Sequence, residues 1–528
     1  MASELGGVGG GSTERGESVL HDRVGYDVDG HRATIAHRRG RRGALPSGKI
    51  RIMQAMTRVH ATTCLRVVGV LAWASVTVAQ PVDPVRQVDL LLTGGTVVTM
   101  DAAGRVIPQG AVAVAGADIV AVGPAAELGS TIVAATTIDT SGQIVLPGLV
   151  NSHTHAAMVM YRGLADDLAL LEWLEQYIFP AEAQTLTPEF VRVASELAAL
   201  EMIRSGTTTF VDMYYFEEVV AEVAAAAGLR AVLGQTVIQF PVPDAATPAD
   251  ALARAETFIQ AWAGHERITP ALAPHAMYTL DEATLLAVRD LARRHDVPVL
   301  IHLAETEDEL RIAEERHGTT PTGYLEAIGF WGPSVLAAHG VWVSAADIDI
   351  LRRHDVGVSH NPESNMKLAS GTAPVPGYLA AGIDLGLGTD GAASNNDLDM
   401  FEAMRLASLL HKLQARDPRV VSAGDSLRLA TVGGARAIGL ESEIGSLDPG
   451  KRADLIVVSM AAARQTPMYD PISHLVYTTR GDDVVTTIVH GRVLMRDGRV
   501  VTLDEPAVLA AAHQLAAEVS AAVGPAAR

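Results

Sequence analysis

Histidines and carboxylates recur in this chain where short apolar runs end. His153-Thr154-His155 follows IVLPGLVN, His275 follows ITPALAP, and His302 lies in VPVLIHLAE with Glu305 three residues on. His339 lies at the end of SVLAAHG, His360-Asn361 at the end of VGVSHNP, and Asp390 at the end of IDLGLGTDG. Imidazole and carboxylate are the side chains that hold zinc or iron(II), and they also move protons near neutral pH. Residues i and i+2 of a strand share a face, so His153 and His155 can present two imidazoles to one ion while Thr154 points away. His302 and Asp390 then complete an N3O set with a position left for water. That set suits one Zn2+ and is compatible with Fe2+. One buried histidine needs only a hydrogen-bond partner, whereas a whole set at matching run ends calls for a common purpose.

The elements that must position these groups form a regular series. Apolar runs at 144–151, 207–213, 229–235, 268–275, 297–305, 334–340, 356–362 and 383–391 alternate with segments of helical period. The helical segments include 187–204, 215–227, 247–263, 281–294, 306–316, 344–353 and 397–413. Eight alternations predict an α/β fold, a (β/α)8 TIM barrel over 144–439, whose active site belongs at the C-terminal ends of its strands. Apolar residues almost throughout each run fit strands covered on both faces. Flanking β-rich pieces, at 87–143 and 440–503, are each too small for a sheet of their own. They are expected to join as one composite β-sandwich domain, followed by a C-terminal helix and tail at 504–528.

Composition narrows the chemistry further. Of 528 residues, 48% are hydrophobic and 19% charged, which excludes a mostly disordered chain. A net charge of −20 argues against a nucleic-acid partner. Cys64 is the only cysteine, so neither an internal disulfide nor a cysteine-rich zinc site of the nucleobase-deaminase type can form. The only lysines are Lys49, Lys367, Lys412 and Lys451, so none lies near the fourth run to bridge two metals as a carboxylated lysine; the site should be mononuclear.

The N-terminal part differs in character. Residues 1–79 carry net charge +5 against −25 for the remainder. Residues 1–52 are rich in Gly and Arg, lack apolar periodicity and read as a disordered extension. Residues 53–86 read as a signal peptide and linker, with basic Arg58 and Arg66 ahead of an apolar stretch over 67–79 and small residues before Gln80. The expectation is export to the periplasm or medium, with no stable membrane insertion after cleavage; a cytoplasmic extension with a chance apolar run is the alternative. No later segment reads as transmembrane.

PGLVNSHTHAAMVMYRGLADDLALLEWLEQYIFPAEA (147–183), HLAETEDEL (302–310), SHNPESNMKLASG (359–371) and GLGTDGAASNNDLDMFEAMRLASLLHK (386–412) resemble the amidohydrolase superfamily. They are most similar to its 5-methylthioadenosine/S-adenosylhomocysteine deaminase branch, related to the triazine chlorohydrolases. GSLDPGKRADLIVV (445–458) matches the return of such chains to their sandwich domain. The resemblance spans roughly 88–500 and implies zinc on His153, His155, His302 and Asp390. It also implies Glu305 and His339 as proton-transfer groups, Glu182 and His275 as nucleoside contacts, and a homo-oligomer. In that branch, arginines after strand three help bind substrate. Here 239–268 offers only Arg254, on an amphipathic helix, and Arg267, before strand four at its opposite end.

The chemistry expected is hydrolytic deamination of a small heterocyclic substrate. Asp390 is positioned to accept a proton from the attacking water, His339 to orient that water, and Glu305 to protonate the ring nitrogen and serve the leaving amine. Plainer roles stand beside these: Glu305 as a surface acid opening the next helix, and Glu182 as a helix-start acid. His360 is read as support behind the ligands, and His265, His295, His317 and His354 as solvated helix residues. An adenine-type nucleoside is the first substrate class. Guanine, a pterin or a triazine is the second, since barrel loops change specificity without touching the ligands. A non-catalytic metal or nucleoside binder is the third reading, and it leaves the proton-transfer set without a use.

Overall fold

The computed structural model describes residues 86–524 apart from Pro333. The expected disordered extension, the signal segment with Cys64, and the last four residues lie outside the described residues. Eight parallel strands close into a barrel: Leu149–Thr154, Thr207–Tyr214, Arg230–Val237, Ile268–Pro274, Val299–Leu303, Val335–His339, Gly357–His360 and Leu385–Leu387. The register of the last against the first, Leu387 opposite Asn151, completes the ring. Nearly every residue of these strands is buried, because helices cover the outer face and side chains fill the inside.

The helices begin where the sequence offers capping oxygens. Thr187, Thr247, Asp281, Thr306, Thr320 and Ser344 each accept a backbone N–H of the first turn that follows. Each such cap contributes ~1 kcal/mol. Those at Thr247, Asp281, Thr306 and Ser344 follow directly on barrel strands, so these caps also fix the loops that carry the polar run ends.

One expected strand divides in two. The run over 144–151 was expected to be the first barrel strand, but Gln143–Pro147 pairs with Leu455–Ser459 and Thr96–Val98 in another sheet. The barrel strand starts two residues later, at Leu149. Pro147-Gly148 makes the change of sheet, and a Cβ on Gly148 would sit 2.0 Å from the Thr208 hydroxyl. An apolar run of eight does not reveal that two sheets share it; the Pro-Gly pair is the sign that does.

Gln143–Pro147 belongs to a seven-stranded sheet that also takes Val484–Val489, Arg492–Arg496 and Arg499–Val500 from the far end of the chain. A four-stranded sheet of Asp118–Pro124, Gly110–Ala115, Arg86–Thr93 and Ile132–Asp139 faces it. Leu90, Leu92, Val112 and Ile138 from one meet Val97, Val145, Leu455, Val457 and Ile488 from the other in a shared core. Arg230, at the start of the third barrel strand, forms a buried ion pair with Asp454 at 2.8 Å, linking barrel to sandwich. The terminal helix Glu505–Val523 packs Val508, Ala512 and Val519 inward, and Glu505 pairs with Arg204 of the helix Pro188–Ser205 at 2.9 Å. By length and composition it is the one helix among the described residues apolar enough to cross a membrane.

Candidate metal centre and active site

The first barrel strand brings His153 to the mouth of the barrel, and His155 follows one residue past its end. Thr154 turns the other way, donating to the Val211 carbonyl and the Asp212 carboxylate. The last strand reaches the same place because Asn151 exchanges hydrogen bonds with Thr389, and the Asp390 N–H donates to the His153 carbonyl at 3.0 Å. Gly388 permits this approach; a Cβ there would lie 2.9 Å from that of His153.

Hydrogen bonds set the protons of two imidazoles. His155 Nδ1 donates to the Met213 carbonyl at 2.7 Å, and His302 Nδ1 donates to the His275 carbonyl at 2.8 Å. In its neutral form each ring then carries a lone pair on Nε2, and the two Nε2 atoms are 3.3 Å apart. Asp390 Oδ1 lies 3.2 Å from His155 Nε2 and 3.4 Å from His153 Nε2. His153 Nε2 is itself buried without a hydrogen-bond partner. Facing lone pairs, an orphaned imidazole nitrogen and a carboxylate at one point are the donor set of a divalent cation, so these residues fit a His-rich metal site.

The electrostatics agree with that reading. Burial works against charge on Asp390, yet the adjacent His155 and His153 rings hold its carboxyl well below the usual range. Burial likewise opposes charge on His155, but Asp390 and Asp212 push it up to about 9. His153 is pushed down to about 4 and His302 also falls, chiefly because burial disfavours the imidazolium. The pocket thus draws positive charge to the place where His155 meets Asp390.

Glu305 and His339 stand beside this cluster. His339 Nδ1 donates to Asn365 Oδ1 at 2.9 Å, which leaves Nε2 facing Glu305 Oε2 at 3.7 Å and Asp390 Oδ2 at 4.0 Å. Glu305 is buried, so it is no surface acid, and burial raises its pKa above the ordinary carboxylate value. Three strand exits turn here through left-handed backbone on residues that are not glycine: Ala304 (φ 47°), His339 (φ 73°) and Asp390 (φ 65°). Such conformations cost ~1 kcal/mol or more each and persist where surrounding contacts over-determine them.

Glu182 and His275 line the same cavity. Glu182, on the helix Phe179–Thr185, accepts the Tyr214 hydroxyl at 2.5 Å and is pushed up to about 7 by burial. The His275 ring sits 3.2 Å from the Thr279 hydroxyl, and its backbone carbonyl orients His302. Leu170, Trp173, Leu174, Ile178 and Phe179 form an apolar wall, and among the described residues no lysine or arginine lines the cavity. Arg254 pairs with Glu218, and Arg267 donates to the Ala225 carbonyl; neither reaches it.

Several residues of the site were not singled out from sequence. Asp212 accepts from the Ala156 N–H at 2.6 Å and from Thr154, bracing the chain on both sides of His155. A lone aspartate inside TTTFVDMY was the available sign. Asn365 and Tyr214 gave none, since amides and tyrosines are common in loops and strand ends. His360 is buried against His411, Nε2 to Nε2 at 3.0 Å, away from the ligand nitrogens. The expectation of solvated histidines holds for exposed His317 and needs correction for three others. His295 and His354 are half-buried on Glu256 and Glu326, and half-buried His265 accepts the Ile268 N–H.

Comparison with known proteins agrees with this geometry. A 5-methylthioadenosine/S-adenosylhomocysteine deaminase of Syntrophobacter fumaroxidans is 49% identical, over 80% of this chain and 96% of its own length. A 5′-deoxyadenosine deaminase of Methanosarcina mazei is 47% identical, over 82% of this chain and 99% of its own. The crystal structure of an adenosine deaminase from Xanthomonas campestris with bound zinc superposes with a TM-score of 0.82 at 38% identity, covering 83% of this chain and all of that one. The family model described as "Amidohydrolase family" matches residues 144–494. With its closed barrel and its histidine-rich metal site, this chain belongs to the amidohydrolase family.

Proposed function

We propose that this protein is a hydrolytic deaminase of adenine nucleosides carrying a small uncharged 5′ substituent, such as 5-methylthioadenosine or 5′-deoxyadenosine. One zinc ion held by His153, His155, His302 and Asp390 is part of that reading. The carrying observation is the meeting of these four residues with Glu305 and His339 at the floor of a cavity whose wall is apolar and free of cations. The deaminases named above, similar over nearly their whole length, support the reaction class.

Held by His153, His155, His302 and Asp390, zinc would lower the pKa of a water toward ~7. Asp390 would accept a proton from the attacking water as the water oxygen bonds to the amidine carbon. Glu305, whose pKa burial raises, would give a proton to the adjacent ring nitrogen. His339, its Nδ1 held by Asn365, aims Nε2 at the space between Glu305 and Asp390 and orients the oxygen. The carbon–nitrogen bond then breaks, the amine leaves as ammonia after taking up a proton, and the carbonyl product remains. Glu182, beside Tyr214, offers two oxygens to the ribose hydroxyls, and His275 offers its ring to the base or sugar.

Ammonia release from adenosine, 5-methylthioadenosine, 5′-deoxyadenosine and S-adenosylhomocysteine, measured side by side, tests the proposal. Guanine and a triazine complete the panel, and turnover confined to those two overturns it. Export is a separate inference from the N-terminal sequence. A mature protein beginning near Gln80 supports it, and an intact cytoplasmic N-terminus removes it.

A further inference from the structure

Glu309 lies outside the reaction cavity and none of the preceding steps uses it, yet it is more deeply buried than most carboxyl groups of the chain. Its exposure is 2%. It sits in the first turn of the helix Glu307–His317, where Thr306 caps the Glu309 N–H. Rather than reaching solvent, its side chain turns back along the chain. Oε2 accepts the Glu305 N–H at 3.1 Å, the Ala304 N–H also acts on the carboxyl, and Oε1 is buried without a partner. Burial raises this carboxyl to about 8, so it is a neutral acid at neutral pH.

The segment it holds is a demanding one. Ala304 adopts left-handed backbone without being glycine, and this turn directs Glu305 back over the barrel mouth. From the opposite side, the Ala304 carbonyl accepts the N–H groups of Val341 (3.1 Å) and Trp342 (2.8 Å), and the Gly340 N–H donates to the Leu303 carbonyl. The Ala304-Glu305 turn is therefore gripped twice, by the strand that ends in His339 and by Glu309. The first grip fixes its distance from His339. The second fixes the rotation of the peptide that carries the Glu305 side chain.

We propose that Glu309 is a positioning residue, whose carboxyl group accepts the Glu305 N–H and so holds the Ala304-Glu305 turn with Glu305 aimed at the substrate ring nitrogen. This rests on the acid–base role assigned to Glu305 above and deepens it. Loss of the grip leaves cavity, ligands and substrate contacts in place, so it acts on turnover and hardly on binding. A glutamine keeps the carbonyl acceptor and the volume of a protonated glutamate, and so preserves the grip. Alanine and methionine do not.

The test compares Glu309→Gln, Glu309→Ala and Glu309→Met in the full-length, zinc-loaded protein, with Glu305→Gln as reference. The expected result is a kcat within ~3-fold of the parent for E309Q. For E309A and E309M, kcat falls by ~10²-fold with KM within ~3-fold and zinc content unchanged, the size expected when a catalytic group is displaced by about 1 Å. E309M fills the space that alanine empties, so it gives the same reading if E309A does not fold. The proposal is overturned if E309M keeps the parental kcat, if its loss lies in KM or in zinc content, or if E309Q is as impaired as E309M. A parent chain inactive on every adenine nucleoside removes the proposed function instead. A Glu305→Gln variant with full activity removes the role of Glu305.

Discussion

The Nε2 atoms of His155 and His302 face one another across 3.3 Å, each ring having already given its Nδ1 proton to a backbone carbonyl. Two such nitrogens repel unless a proton on His155 or a metal ion lies between them, and a metal ion engages both at once. Removing the metal with a chelator is therefore expected to abolish ammonia release and to lower the thermal midpoint, with both restored by added zinc. His302→Ala should cost most of the bound zinc, read by elemental analysis of the purified protein. Full activity in a metal-free sample would falsify the mechanism at its root.

Glu305→Gln retains the shape of the carboxyl group and removes its exchangeable proton. The loss in kcat should be ~10²–10⁴-fold, the usual worth of a general acid–base group, with zinc content unchanged. Steady-state kinetics together with metal analysis separates this from damage to the ligands.

The cavity wall of Leu170, Trp173, Leu174, Ile178 and Phe179 offers nothing to a carboxylate. S-adenosylhomocysteine, with its charged amino-acid end, should have a kcat/KM at least ~10-fold below that of 5-methylthioadenosine, since an unpaired charge must stay hydrated or be buried at a cost. Equal values for the two would place a cationic contact where none is seen.

Glu182 links stability to pH. Its folded-state pKa, about 7, exceeds the ordinary 4.5, so between these values the folded chain binds the proton that the unfolded chain has lost. Stability from this group consequently falls as pH rises from 4.5 to 7 and is level above that, a total of about 3 kcal/mol. Glu182→Gln lacks this slope. Urea unfolding at pH 5 and pH 8 should show the variant gaining on the parent at the higher pH by about that amount.

Asp454 is buried with Arg230 and also accepts the His490 N–H. Asp454→Ala leaves the buried guanidinium with only the Glu266 carbonyl and the more distant Glu443 carboxylate, and removal of a buried partner of this kind costs up to about 3–5 kcal/mol. The expected sign is a lower urea midpoint for the whole chain, with the zinc ligands untouched.

Much of the barrel and its polar mouth was legible because the physics is local. A strand covered on both faces is apolar until the residue that must face the cavity, so His302, His339 and Asp390 stand out against their runs. The structure brings all eight singled-out residues to one cavity or its floor. What escaped notice is carried by contacts distant in sequence. Asp212 matters because it touches Thr154 and Ala156, and His360 differs in character because His411 packs on it. Pairings across such separations leave no periodic mark. The division of 144–151 between two sheets escaped for another reason, since an apolar run is equally suited to either.

The passage through Pro147-Gly148 carries a consequence for how this molecule can come apart. A single peptide segment runs from the middle of the seven-stranded sheet straight into His153 and His155, while the neighbouring strand of that sheet comes from beyond residue 450. Excising the barrel alone would strip its first strand of this anchorage. Truncation that reaches the seven-stranded sheet from either side should therefore release metal before it produces a smaller working enzyme.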